Sequence, residues 1–203
     1  LAVERNLKRT TRILLTAGHF YGSIGTLTHL KSLSVDKKNK IALSLCVEHI
    51  AKEAKENANG NLIETGFSEP AGLFLPLNQS LRDAVYQSAV ESGVRRAVLL
   101  PAESPLGPYP PTDGGDWHLE GIPLVNYISN PVYLLTNDDS ESWVDEKNLT
   151  VIAEAFYNIL QRTDSIELQK LRETDFLFRK YLMKVLRMIS YAKTTQFGRK
   201  PVY

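Results

Sequence analysis

Residues 41–49 read Ile-Ala-Leu-Ser-Leu-Cys-Val-Glu-His, an apolar run broken only by Ser44 and closed by a carboxylate and an imidazole. Such a run is too apolar for a half-exposed strand. It predicts a strand covered on both faces, as in the parallel sheets of α/β proteins. Residues 97–100 (Ala-Val-Leu-Leu) repeat the pattern, and 72–75 and 124–129 supply two further strands. Between them lie helical periods. One is capped by Asn78, carries Leu81, Val85, Ala89 and Val90 on one face, and stops at Gly93. Another, over 145–161, places Leu149, Ile152, Ala153, Phe156, Ile159 and Leu160 on one face. Strands alternating with helices at this spacing predict a three-layer α/β domain, with a mostly parallel central sheet covered by helices.

Upstream, 12–16 form a short β-type run that enters a glycine-punctuated turn, Thr-Ala-Gly-His-Phe-Tyr-Gly-Ser-Ile-Gly-Thr at 16–26, with a helix expected over 24–33. Residues 37–39 read as a polar connector, and 52–61 are polar and end in the turn signal Asn59-Gly60. Residues 101–115 contain Pro101, Pro105, Pro108, Pro110 and Pro111 and predict a long irregular functional loop. The chain divides into an α/β domain over 1–162 and a helical extension with a tail over 163–203. The mixed apolar and basic helical stretch 166–191 is expected to pack on the domain or to mediate oligomerisation.

A net charge of +1 with scattered Lys and Arg gives no electrostatic case for a nucleic-acid partner. No run approaches the ~20 apolar residues of a membrane span, and no secretory signal is visible. The single cysteine, Cys46, excludes an internal disulfide and a multi-cysteine metal site within this sequence. Its apolar surroundings predict a buried structural thiol. Two sequons, at Asn78 and Asn148, leave the compartment open.

Ligand sites in such sheets lie at the carboxyl ends of strands, which selects His19/Phe20, Glu48/His49, the loop 101–118 and the residues after 126–129. His19 is a base or ligand, or a histidine bonded within its turn. Glu48 is a ligand or acid–base group, or a structural partner whose burial needs compensation. His29 reads as packing. The segment Asp113-Gly-Gly-Asp116-Trp-His118 holds the densest ligand chemistry. It binds a metal only if three or four donors converge, and is otherwise a loop closed by hydrogen bonds to its backbone. No P-loop, GxSxG elbow, HExxH helix or dinucleotide fingerprint occurs.

Taken in order, several segments resemble the M28 family of zinc aminopeptidases. The family turn Glu-Glu-x-Gly-x-x-Gly-Ser corresponds to His19-Phe20-Tyr21-Gly22-Ser23-Ile24-Gly25-Thr26, and the strand ending in Asp-Met corresponds to Val47-Glu48-His49. The Ser-Asp-His loop and the following Gly-Ile-Pro correspond to Thr112-Asp113-Gly114 and Gly121-Ile122-Pro123. The Tyr-His-Thr-x-x-Asp-Thr segment corresponds to Tyr133-Leu134-Leu135-Thr136-Asn137-Asp138-Asp139-Ser140. The likeness spans about residues 11–162.

The resemblance implies a Zn-peptidase-like fold with further strands ahead of this sequence. It places His19 at the general base, while Phe20, Glu48 and Leu135 fall on zinc-ligand positions. Of these three only Glu48 keeps donor atoms, and the family's upstream His-x-Asp has no counterpart here. Phe20 and Leu135 are therefore expected to wall a filled, dry pocket. The expected function is a non-catalytic scaffold binding a protein or peptide, without the dinuclear zinc site and with no cofactor. The alternative is a zinc-dependent peptidase or amidohydrolase with a divergent site: His19 as base, and Glu48, Asp113, Asp116 and His118 as metal- or substrate-binding residues.

Overall fold

The computed structural model describes residues 7–103, 110 and 112–173. Its centre is a four-stranded sheet of β1 (Ser44–Glu48), β4 (Ala71–Leu75), β5 (Ala97–Pro101) and β6 (Leu124–Ser129), ordered β1-β6-β4-β5. A separate antiparallel hairpin is made by β2 (Lys52–Glu56) and β3 (Leu62–Ser68). The helices are α1 (Ile24–Ser32), α2 (Val35–Lys40), α3 (Gln79–Glu91), α4 (Asp113–Leu119), α5 (Glu146–Asp164) and α6 (Leu168–Arg172).

The α/β class holds, but the sheet is mixed. β1 runs parallel to β6 and β4 parallel to β5, while β4 and β6 are antiparallel. The cause is the β2–β3 hairpin, of which the sequence shows only a polar stretch and its turn. It returns the chain to the end of the sheet where β1 finished, since Ala71 at the start of β4 pairs with Ser129 at the end of β6. No crossover helix intervenes, so β4 sets off in reverse. The β4–α3–β5 unit that follows is an ordinary parallel crossover.

Alternation along the central strands assigns the two faces. Leu73 and Leu75 of β4 and Val125 and Tyr127 of β6 form one core with Leu81 and Val85 of α3, Ile152, Phe156 and Ile159 of α5, and Leu171 of α6. Burying a side chain of this size contributes roughly 1.5–3 kcal/mol. The opposite face of β6 presents Leu124 and Asn126 to α4, where Gly114 closes on both. The two central strands, β6 and β4, are covered along nearly their whole length. The other two apolar runs are sheet edges, with Val47 45% and Val98 53% exposed, so full coverage is corrected for both.

Helix α3 follows its sequence signals closely. The Asn78 side chain accepts from Leu81 N–H at 2.8 Å, and its amide donates to the carbonyls of Lys170 and Glu173. Thus α6 is tied to the start of α3. Residues 174–191 of the expected helical stretch lie outside the described residues. Both sequons are closed in this fold: Asn78 and Asn148 are buried, and the Asn148 amide donates to the Tyr127 hydroxyl.

Two further expectations fail. Residues 12–16 are in no strand; Ile13 is 84% and Leu15 93% exposed. The segment is held at its ends instead, by Lys8 and Arg9 N–H on the Asp164 carboxylate and by the Thr16 hydroxyl on Asp113. The expected 101–118 loop includes α4, because Gly114 suits the close approach to β6 despite a poor intrinsic preference for helix.

Candidate functional site

The turn at 16–26 is built backward from its glycines. Gly18 sits at φ 78°, and a β-carbon there would stand 2.5 Å from Ile24 Cγ2. The chain then makes a single 3-10 turn over His19–Tyr21, closed by Tyr21 N–H on the Gly18 carbonyl, before Ser23 leads into α1. This turn carries His19 to the carboxyl end of β1, where Glu48 stands.

Asp113, first residue of α4, completes the group. His19 Nδ1 lies 2.7 Å from Asp113 Oδ1 and 3.5 Å from Glu48 Oε2. Among the described residues, His19, Glu48 and Asp113 are the group whose donor atoms lie close enough together to share one ion. The resemblance had aligned these three positions separately, and the fold brings them into one cluster.

Their environments differ. Asp113 accepts hydrogen bonds from Thr26 Oγ1 at 3.0 Å, Thr16 Oγ1 at 3.2 Å, the Ser23 side chain and His19. Burial pushes its carboxyl up, but the bonds from Ser23, His19 and Thr26 outweigh burial and hold it below the usual range. Glu48 is pushed up to about 7, mainly by burial, with the Asp113 charge adding to the rise; the His19 charge and the Asn126 amide oppose it. Its Oε1 accepts weakly from Asn126 Nδ2 at 3.4 Å, and its Oε2 is buried without a hydrogen-bond partner among the described residues.

The other candidates go elsewhere. His118 is buried against Glu103, 3.7 Å away, and Asp116 also lies outside the cluster. The grouping of Glu48 and Asp113 with Asp116 and His118 is therefore corrected: α4 turns its first residue to the site and its later ones away. Phe20 and Leu135 do not wall a dry pocket, being 56% and 68% exposed. Cys46 has its thiol pushed up to about 12, chiefly by burial, which suits a structural thiol and not a nucleophile.

His49 belongs beside the cluster. Its backbone is left-handed at φ 50°, a conformation uncommon outside glycine. Ser129 holds it there: the Ser129 hydroxyl donates to the His49 carbonyl, and His49 Nδ1 donates to the Ser129 carbonyl at 3.2 Å. The His49 ring stands edge-on to His19, 5.8 Å between centres, with Phe20 against both. Its place after Glu48 at a strand end was the only sequence signal.

A second feature lies on the hairpin, a shallow cavity of about 360 Å³ lined by Glu53, Lys55, Thr65, Phe67 and Arg96. Its Arg96 is paired with Glu53 at 2.6 Å and lies over the Phe67 ring. No helix among the described residues is long and apolar enough to cross a membrane.

No family model matches the chain, and neither a curated protein nor a solved structure matches it.

Proposed function

We propose that this chain is an M28-peptidase-like α/β domain without the dinuclear zinc centre, acting as a non-catalytic scaffold that binds a protein or peptide. The observation that carries this reading is the state of Asp113. Its carboxylate is taken up by His19, Thr16, Thr26 and Ser23, so Asp113 is engaged within the fold. The residues present do not fit a two-zinc set. Phe20 and Leu135 stand at two ligand positions without donor atoms, and a catalytic zinc needs about three protein ligands. Exposed Phe20, Tyr21 and Leu135 then offer contact surface in place of ligands.

Metal analysis combined with a peptidase assay tests the reading. The expected result is no aminopeptidase turnover with or without chelator. Two zinc ions per chain, together with turnover that chelation abolishes, would overturn it.

A second reading, a hydrolase with altered chemistry, is favoured by one detail. Asp113 fixes His19 with its proton on Nδ1, which leaves Nε2 as the acceptor that a general base needs. On that reading His19→Ala removes turnover of an amide or peptide substrate by about 100-fold or more while the fold persists. An unchanged rate in a folded variant rules this role out.

A further inference from the structure

Both carboxylates of the cluster are held through one oxygen and turn the other to His19. Asp113 Oδ2 accepts from Thr26 Oγ1 at 3.0 Å and from Thr16 Oγ1 at 3.2 Å, while Asp113 Oδ1 lies 2.7 Å from His19 Nδ1. Glu48 Oε1 faces the Asn126 amide, and Glu48 Oε2 lies 3.5 Å from the same Nδ1. That nitrogen has one proton to give, and it goes to Asp113, the nearer acceptor. Glu48 Oε2 is left as a buried carboxylate oxygen without a hydrogen-bond partner among the described residues. Burying such an atom calls for compensation, from a partner or from a metal ion.

Three donor atoms from three elements meet at this point: Nδ1 from the 16–26 turn, Oε2 from the end of β1 and Oδ1 from the start of α4. All lie within 4.8 Å of one another. An ion bound at about 2.0–2.1 Å sets tetrahedral donors about 3.4 Å apart. The 3.5 Å between His19 Nδ1 and Glu48 Oε2 matches this spacing. The 2.7 Å between Nδ1 and Asp113 Oδ1 is a hydrogen-bond length, which widens when an ion replaces the proton between them. The charge fits as well: two carboxylates and a neutral imidazole balance a divalent cation.

The surroundings support the donors. Thr16 and Thr26 behind Asp113, and Asn126 behind Glu48, are the outer hydrogen bonds that orient ligating carboxylates. The Glu48 and Asp113 side chains are 14% and 12% exposed and that of His19 28%, so solvent reaches the group from the His19 side.

We propose that His19 Nδ1, Glu48 Oε2 and Asp113 Oδ1 together hold one divalent transition-metal ion of the zinc class. The imidazole in the set favours zinc over magnesium or calcium. Three protein ligands leave a fourth position open for a donor atom of a bound peptide. On binding, His19 gives up its Nδ1 proton and takes one up on Nε2, so the residue that the hydrolase reading needs as base is occupied as a ligand. The site is mononuclear and needs neither Phe20 nor Leu135. It goes beyond the scaffold reading by giving the polar centre a ligand of its own.

The test is calorimetric titration of the chelator-stripped full chain with Zn²⁺ and with Mg²⁺, alongside His19→Ala, Glu48→Gln, Asp113→Asn and Asp116→Asn. The expected result is one Zn²⁺ per chain, held more tightly than Mg²⁺. Its affinity falls by about 10-fold or more in each of the first three variants and is unchanged in Asp116→Asn. Long-range ¹⁵N spectra of the wild-type histidines keep the test decisive if a variant does not fold: on adding Zn²⁺ the His19 proton moves from Nδ1 to Nε2. Wild-type affinity in the first three variants, tighter binding of Mg²⁺ than of Zn²⁺, or Zn²⁺ on Nε2 of His19 would overturn the proposal. Absence of Zn²⁺ binding overturns it alone, whereas two ions per chain with peptidase turnover overturn the scaffold reading as well.

Discussion

Glu48→Gln is expected to make the metal-free protein more stable than wild type above pH 7, and to leave it no more stable near pH 4.5. The Glu48 carboxyl rises from 4.5 to about 7 on folding because burial disfavours its charge. Between those values the folded state holds the proton more tightly than the unfolded chain does. Stability therefore falls as pH rises through this window, and the deficit is complete above about 7. A shift of this size corresponds to at most about 3 kcal/mol, and glutamine, which does not ionise, removes it. Asp113 has the opposite sign: its depressed carboxyl contributes stability that is lost only as pH falls below the usual carboxylate range. The two windows do not overlap, so urea unfolding of wild type and variant from pH 4.5 to 8, with chelator present, isolates Glu48. Parallel curves across that range would contradict the assignment.

Gly114→Ala is expected to destabilise the fold by about 2–3 kcal/mol, and by more if α4 shifts. Two effects compete. Alanine favours helix over glycine by about 1 kcal/mol. Against this, the new methyl would stand 2.5 Å from Asn126 Oδ1 and 2.7 Å from Leu124 Cδ1. Neither neighbour yields easily. Asn126 is fully buried, with its Oδ1 receiving the Thr112 hydroxyl and its amide reaching Glu48 and the Tyr127 carbonyl. The clash therefore outweighs the gain in propensity. Because Asp113 precedes Gly114, displacing α4 also parts Asp113 from His19. Chemical denaturation together with the ¹⁵N signals of His19 checks both effects, and a variant as stable as wild type would mean that α4 is packed less closely.

Legibility in the sequence tracked how locally each feature is determined. Helix α3 was readable because its cap, its apolar face and Gly93 all lie within its own residues. The hairpin was missed because its strands are polar and mostly exposed, and the burial of Ala54 beneath Tyr133 is a tertiary event. Without its two strands the direction of β4 was lost. Helix α4 was hidden by its two glycines, of which Gly114 closes on the sheet beneath. At the site, His19, Glu48 and Asp113 were legible only as separate candidates, at a turn, a strand end and a loop. That Asp113 faces the other two while Asp116 and His118 do not depends on the rotation of α4, which one sequence does not encode visibly. His49 had the right address, and only its Ser129 partner, 80 residues away, marks it.

The bonds that converge on Asp113 bridge 87, 94 and 97 residues of chain. Contacts this distant reward the chain only after the intervening loops have closed. The cluster is thus a late product of folding: the turn at 16–26 takes its final form once β1, β6 and α4 are in place. The same order applies in reverse during native fluctuations, so this cluster opens before the β4–β6 core does. Its hydrogen bonds are a sensitive gauge of whether the rest of the molecule has finished folding.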